Sequence, residues 1–341
     1  MLFGYESSYP PDATEQALPD VATARRLLGE HRPDLIERLT AVATRFEIDP
    51  RALDAAILGT ARLAHRHGSL GDDFHAYHNE IHVLEVGERR LSRVIEATGV
   101  MGPRKEDVDA LLIFAACHDL RQRESFDFPG PVGGNEAASS AEAFRIMDLA
   151  GFDRAADQSQ YIAIELMITG STFDARPPPH PDPQTAELPE VTGGALARGL
   201  HLWLDTSVPR WRENADCRRG ERLARLAADL DTANVGEDFA QLCETALRLC
   251  REREMRWHRK LDSDESAMTC LAFLGKGQEY YFYELHAFSS REGERVYGPG
   301  KAANGAKVRE TTAALLERFA AQPPANGAAV LAAFAELTGA A

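Results

Sequence analysis

The chain has 341 residues, 44% hydrophobic and 27% charged, which fits a globular protein with one large helical domain or two smaller ones. A formal net charge of −15 argues against a nucleic-acid backbone or an anionic membrane as the main partner, although a bound metal could still attract an anionic small molecule. Scattered cysteines without a C-x-x-C pair, the lack of a long apolar run and an N-terminus without signal-peptide regions predict a cytoplasmic protein with no disulfide framework and no membrane span.

Residues 1–18 are polar and proline-containing and read as a flexible lead-in. Residues 19–70 read as an N-terminal helical layer. Val21, Ala24 and Leu28, then Leu35, Leu39 and Val42, then Leu53, Ile57 and Leu58 recur at helical spacing. Pro33 and Pro50 fall where first-turn prolines start new helices. Gly68–Asp73 breaks the pattern, and Phe74-His75-Ala76-Tyr77-His78-Asn79-Glu80-Ile81-His82 follows, leading into a helix with Ile81, Leu84, Val86 and Leu91 that runs to about Ala97.

After a turn at Gly102-Pro103, Val108–Asp119 reads as a buried helix with His118 and Asp119 at its end. A Gly/Pro-rich loop over 121–134 precedes a helix with Ala141, Phe144 and Met147, and Tyr161–Thr169 forms the next. Residues 174–194 hold Pro177, Pro178, Pro179, Pro181, Pro183 and Pro189 and are expected to be irregular. Helices resume over 195–204, 219–230, 239–262, 268–288, 308–320 and 328–337, with the Tyr280–Tyr283 aromatics expected in the core. Alternating β-branched runs, internal repeats and phosphate-binding glycine motifs are not found. The fold class is all-α, with residues 71–240 as the core and 241–341 as a C-terminal helical extension packed on it.

On a helix, His78 and His82 would share one face, the way helices offer nitrogen ligands to a divalent metal. His118 and Asp119 directly follow an apolar helix, where buried charge needs a ligand or partner. Asp229 and Asp231 supply carboxylates on a third helix. A mixed nitrogen/oxygen set suits Mn, Mg, Zn, Fe or Ni.

Tyr77-His78-Asn79-Glu80-Ile81-His82 resembles the Y-H-N-x-x-H segment of HD-superfamily phosphohydrolases, as seen in cyclic-nucleotide phosphodiesterases. His118-Asp119 is similar to the family's A-x-x-H-D element, Asn135-Glu136 to the helix start that follows it, and Ala228-Asp229-Leu230 to its final A-D-L. The resemblance spans roughly residues 74–240 and implies an HD-domain-like helical bundle with additional N- and C-terminal helices.

The same resemblance implies His82, His118, Asp119 and Asp229 as metal ligands, with Asp119 able to bridge to a second ion. It makes His78 the proton donor to the leaving oxygen and leaves His75 a flanking residue. Asp229 is preferred to Asp231 for its A-D-L context. Tyr77 and Asn79 are read as orienting residues. Glu136 would hold a water at the site or cap its helix, and Arg121 and Arg123 either grip a phosphate or belong to a solvated loop. The chain departs from the phosphodiesterase pattern in having no further histidine in Leu120–Glu124 and Leu84 in place of an aspartate, so one or two ions remain open.

The implied function is metal-dependent hydrolysis of a phosphomonoester or phosphodiester, a nucleotide being one candidate, by metal-activated water. The partner would be a small phosphorylated molecule, with a homo-oligomer compatible with the sequence. One alternative is an iron-dependent oxygenase, which would need His180 and His201 as ligands. The other is a non-catalytic regulatory protein that keeps the metal. His201, His258 and Asp205 are otherwise read as structural.

Overall fold

Asp12 and Asp20 open the first two helices, α1 (Ala13–Ala17) and α2 (Val21–His31), by accepting the N–H groups of Glu15 and Thr23 at 2.9 and 2.7 Å. Pro33 and Pro50 occupy the first turns of α3 (Pro33–Arg45) and α4 (Pro50–His67). The computed structural model describes residues 2–122, 133–174 and 194–340, which are helical almost throughout, so the fold is all-α. Among them the one sheet is a short antiparallel pair, Phe173–Asp174 with Gly194–Ala195; the proline-rich residues 175–193 between these strands lie outside the described residues. No described helix is long and apolar enough to cross a membrane.

The chain divides into two units, Met1–Phe74 with His78–Asp231 and His75–Tyr77 with Thr232–Ala341. The expected N-terminal layer therefore belongs to the same unit as the histidine-bearing helices, and the boundary falls after Asp231 rather than near 240. The lead-in is not loose either. The N–H groups of Leu2 and Phe3 donate to the buried Glu165 carboxylate at 2.6 and 3.0 Å, and Arg62 donates to the Leu18 carbonyl at 2.9 Å.

In the first unit a single helical run covers Glu80–Thr98 in three parts: α5 (Glu80–Leu84), a wide π turn (Glu85–Arg90) and α6 (Leu91–Thr98). Leu84, Val86 and Leu91 are buried as expected, whereas Ile81 is 39% exposed. α7 (Lys105–Cys117) is buried from Asp107 onward and apolar on every face from Ala110 on, as predicted for a central helix. It packs closely on α4, because a Cβ on Gly59 would lie 2.9 Å from the Ala116 carbonyl oxygen. α8 (Gly134–Leu149), α9 (Gln158–Ser171), α10 (Leu200–Ser207) and α11 (Ala215–Asp231) complete the unit.

The second unit has a core of Leu247, Cys250, Leu274, Leu315, Val330 and Phe334 from α12 (Phe239–Arg256) and the helices after it. The helix expected over 268–288 is interrupted. α13 (Ala267–Ala272) and α14 (Gln278–Tyr280) are separated and followed by π turns, with Gly275 at φ −90°, ψ −109°. Of the aromatic cluster only Phe282 is fully buried, and Tyr280 is 38% exposed.

α15 (Arg291–Arg318) begins well before the expected 308, and α16 (Gly327–Thr338) closes the chain. A Cβ on Gly300 would meet the Gly236 carbonyl oxygen at 2.1 Å, so that contact requires glycine. Residues 75–77 belong here because α12 holds them: the buried Glu252 accepts from Tyr77 N–H at 2.9 Å and faces His75 Nδ1 at 3.2 Å, while Arg248 donates to the Ala76 carbonyl at 2.9 Å.

Candidate metal centre

Three turns of the first unit bring the site together. His82 lies within α5, His118 and Asp119 directly follow α7, and Asp231 is the last residue of α11. One donor atom each from His82, His118 and Asp119 lies within 4.8 Å of the other two, and all three residues are buried. Asp231 Oδ1 is 2.9 Å from His82 Nε2 and 3.6 Å from His118 Nε2. His82 Nε2 is also 3.7 Å from Asp119 Oδ2, and His118 Nε2 is 3.0 Å from it.

Each imidazole has its other nitrogen occupied. His118 Nδ1 donates to the Phe114 carbonyl at 3.1 Å, and its ring stacks on Phe114 at 4.5 Å between centroids. His82 Nδ1 meets Glu85 Oε2 at 3.2 Å, a carboxylate that the π turn carries three residues on. An imidazole whose Nδ1–H is engaged presents Nε2 as a lone pair, and here both Nε2 atoms face carboxylates. Such a meeting needs a proton or a cation between the groups. Burial alone would push His118 down, but the Asp119 and Asp231 carboxylates outweigh it and hold its pKa well above the ordinary 6.5. Burial likewise pushes Asp231 up, and His118 and His82 overcome it, holding the carboxyl well below its ordinary 3.8.

The residues present fit a metal on a direct observation. His118 Nε2 and Asp119 Oδ2 are buried atoms without a hydrogen-bond partner, although 3.0 Å apart, because they do not have hydrogen-bond alignment. Asp119 Oδ1, by contrast, accepts from Gln122 Nε2 at 2.7 Å. Asp231 Oδ1 stands against both imidazoles, and Asp229, favoured by its A-D-L context, is buried on the same helix two residues earlier. Asp231 is steered by the buried Arg90, whose guanidinium donates to the Leu230 and Asp231 carbonyls at 3.0 and 2.7 Å at the helix end.

His78 does not share a helix with His82. Asn79 caps α5 from an extended backbone (φ −145°), its side chain accepting from Ile81 N–H at 2.9 Å, so His78 precedes the cap. Its half-buried ring nevertheless lies 6.2 Å from that of His82, nearly perpendicular to it. Glu136, in the first turn of α8, stands close enough to be affected by Asp119. Burial raises its pKa, Asp119 adds to the rise, and His78 and His118 oppose it.

Arg121 is not available for a phosphate. It is buried, with its guanidinium 3.3 Å from Glu15 Oε1 and 3.6 Å from Glu142 Oε2, in a cluster with Arg62, Arg66 and Arg145. The carboxylates Asp12, Glu15 and Glu142 also converge, but these guanidiniums neutralise them and no cation is needed. Arg123 and His180 lie outside the described residues. His201 is on α10, His258 is exposed just beyond α12, and Asp205 accepts from Trp211 Nε1 at 2.8 Å and pairs with Arg212. Sequence reasoning missed Glu85, Arg90 and Gln122. A carboxylate three residues after a ligand histidine was the one signal that could have been used.

A search of protein-family models finds none that matches this chain. A search of curated proteins likewise finds no match.

Proposed function

We propose that the chain is a metal-dependent phosphohydrolase acting on a small phosphomonoester or phosphodiester, nucleotides among the candidates. The observation that carries the reading is the buried His118 Nε2–Asp119 Oδ2 pair, which lacks hydrogen-bond partners and converges with His82. His82, His118, Asp119 and Asp231 would hold one divalent ion. When bound, such an ion supplies Lewis acidity to a phosphoryl oxygen and acidifies a water molecule. A nitrogen/oxygen donor set is compatible with Mn, Mg, Zn, Fe or Ni.

On this reading His78 gives a proton to the departing oxygen. It is half-buried beside His82, and imidazole is the side chain best able to donate near neutral pH. Glu136, in the first turn of α8, would hold a water at the site on this reading. Arg121 has no part in substrate binding on this reading. The acidic chain and the absence of a membrane-spanning helix among the described residues agree with a small soluble substrate met in the cytoplasm.

A panel of phosphomonoesters and phosphodiesters, assayed with divalent metal added, tests the proposal. Hydrolysis of at least one compound is expected, with loss of both activity and metal binding in His82→Ala and Asp119→Ala. Full activity in either variant would overturn the assignment.

A further inference from the structure

We infer that this is a one-metal centre: Gln122 holds the outer oxygen of Asp119, and the donors that converge on the imidazoles make a single set. The inference rests on the metal reading above and concerns how many ions the site can take.

Asp119 has two oxygens with different surroundings. Oδ2 faces the imidazoles and has no hydrogen-bond partner, whereas Oδ1 lies 2.7 Å from Gln122 Nε2 in a buried contact. An amide against a carboxylate presents its NH₂, because its oxygen there would oppose lone pairs to lone pairs. The amide hydrogens carry partial positive charge. A second cation approaching Oδ1 would be repelled by them and would have to displace the amide.

That displacement is opposed by the way the turn is held. The Leu120 carbonyl accepts from Arg66 Nη1 at 2.7 Å, Arg121 N–H donates to Ser139 Oγ at 3.1 Å, and the Gln122 carbonyl accepts from Asn135 Nδ2 at 3.3 Å. Arg66 is in turn paired with Asp12 at 2.8 Å and with the fully buried Glu142 at 2.9 Å. Three successive residues after Asp119 are therefore anchored to α4 and to the first turns of α8. These bonds fix the backbone of Gln122 and so keep its amide beside Asp119. It is a positioning residue, orienting Asp119 so that Oδ2 alone points at the imidazoles.

A second ion would also need ligands of its own. Among the described residues, the converging donor group contains His82, His118 and Asp119, with Asp231 against both imidazoles.

The test is a Mn²⁺ titration of the metal-stripped full chain, with bound metal counted by equilibrium dialysis and observed by electron paramagnetic resonance. One equivalent per chain and an isolated-ion spectrum are expected. In Gln122→Ala the stoichiometry should stay at one while affinity falls by about 10- to 100-fold, the usual effect of losing a residue that orients a ligand. Gln122→Met, similar in length and lacking the donor, should do the same and serves if the alanine variant does not fold. Two equivalents or an exchange-coupled pair in the unaltered chain would overturn the inference and leave the metal reading standing. Unchanged affinity in both folded variants would also overturn it. No binding by the unaltered chain would overturn both.

Discussion

His118 Nε2 and Asp119 Oδ2 lie 3.0 Å apart at the end of α7, both buried and neither with a hydrogen-bond partner. An unsatisfied buried polar atom costs about 1–3 kcal/mol, so two facing one another are tolerated where a cation or a proton resolves them. Their position one residue apart, just after the apolar end of α7, puts that cost at a point where three helices converge.

Metal should therefore stabilise the fold. At a metal concentration about 100 times its dissociation constant, the gain expected from mass action is about 2.7 kcal/mol. Calorimetric melting should show a higher Tm with Mn²⁺ or Zn²⁺ in the unaltered chain and no metal-dependent shift in Asp119→Ala. An equal shift in both would place the binding elsewhere.

The metal-free protein should respond to pH through His118. Its folded pKa is raised above 6.5 by the neighbouring carboxylates. The stability this contributes is fully present below the ordinary imidazole value and is lost as pH rises through the higher folded value. Denaturant titrations of the metal-free chain at several pH values should show that loss above pH 6.5, and His118→Asn should abolish it. Metal binding should run the other way and tighten as pH rises, because the ion displaces the proton.

Asp231 and Asp229 make different predictions. Asp231→Asn removes a carboxylate that meets both imidazoles and should weaken metal binding by more than tenfold, on the order expected for losing a ligand or its orienting partner. Asp229→Asn should cost less. If isothermal titration gives the reverse order, the A-D-L context was the better guide.

Glu142 is predicted to matter for stability alone. It is fully buried between Arg62, Arg66 and Arg121, and Glu142→Ala would leave buried guanidiniums uncompensated. Removing one partner from such a cluster costs about 3–5 kcal/mol. Urea unfolding should report that loss. Arg121→Met should also lower stability while leaving KM for a phosphoester unchanged, and a raised KM would restore Arg121 to the substrate.

The helical layout was legible because burial imposes a period on the apolar residues, and the all-apolar run at 110–117 announced α7 directly. Histidine spacing was a poorer guide. His78 and His82 are four residues apart in sequence, but the Asn79 cap starts the helix between them, and capping depends on backbone conformation rather than spacing. Gly293, Gly298, Pro299, Gly300 and Gly305 disguise the first half of α15 as loop, while in the folded chain Gly300 is needed for contact with Gly236. The burial of Arg121 had no local sign at all, since its partner Glu15 lies 106 residues away. Asp231 was recognised as a candidate, but choosing it required the Arg90 contact across 141 residues.

The central claim is that one divalent ion held by His82, His118, Asp119 and Asp231 supports phosphoester hydrolysis. A single titration tests it: hydrolysis of a phosphoester found in the panel, measured as metal is added back to the stripped full chain. Activity should rise linearly and break at one equivalent per chain. Activity that is independent of added metal, or absent at every ratio, would contradict the account.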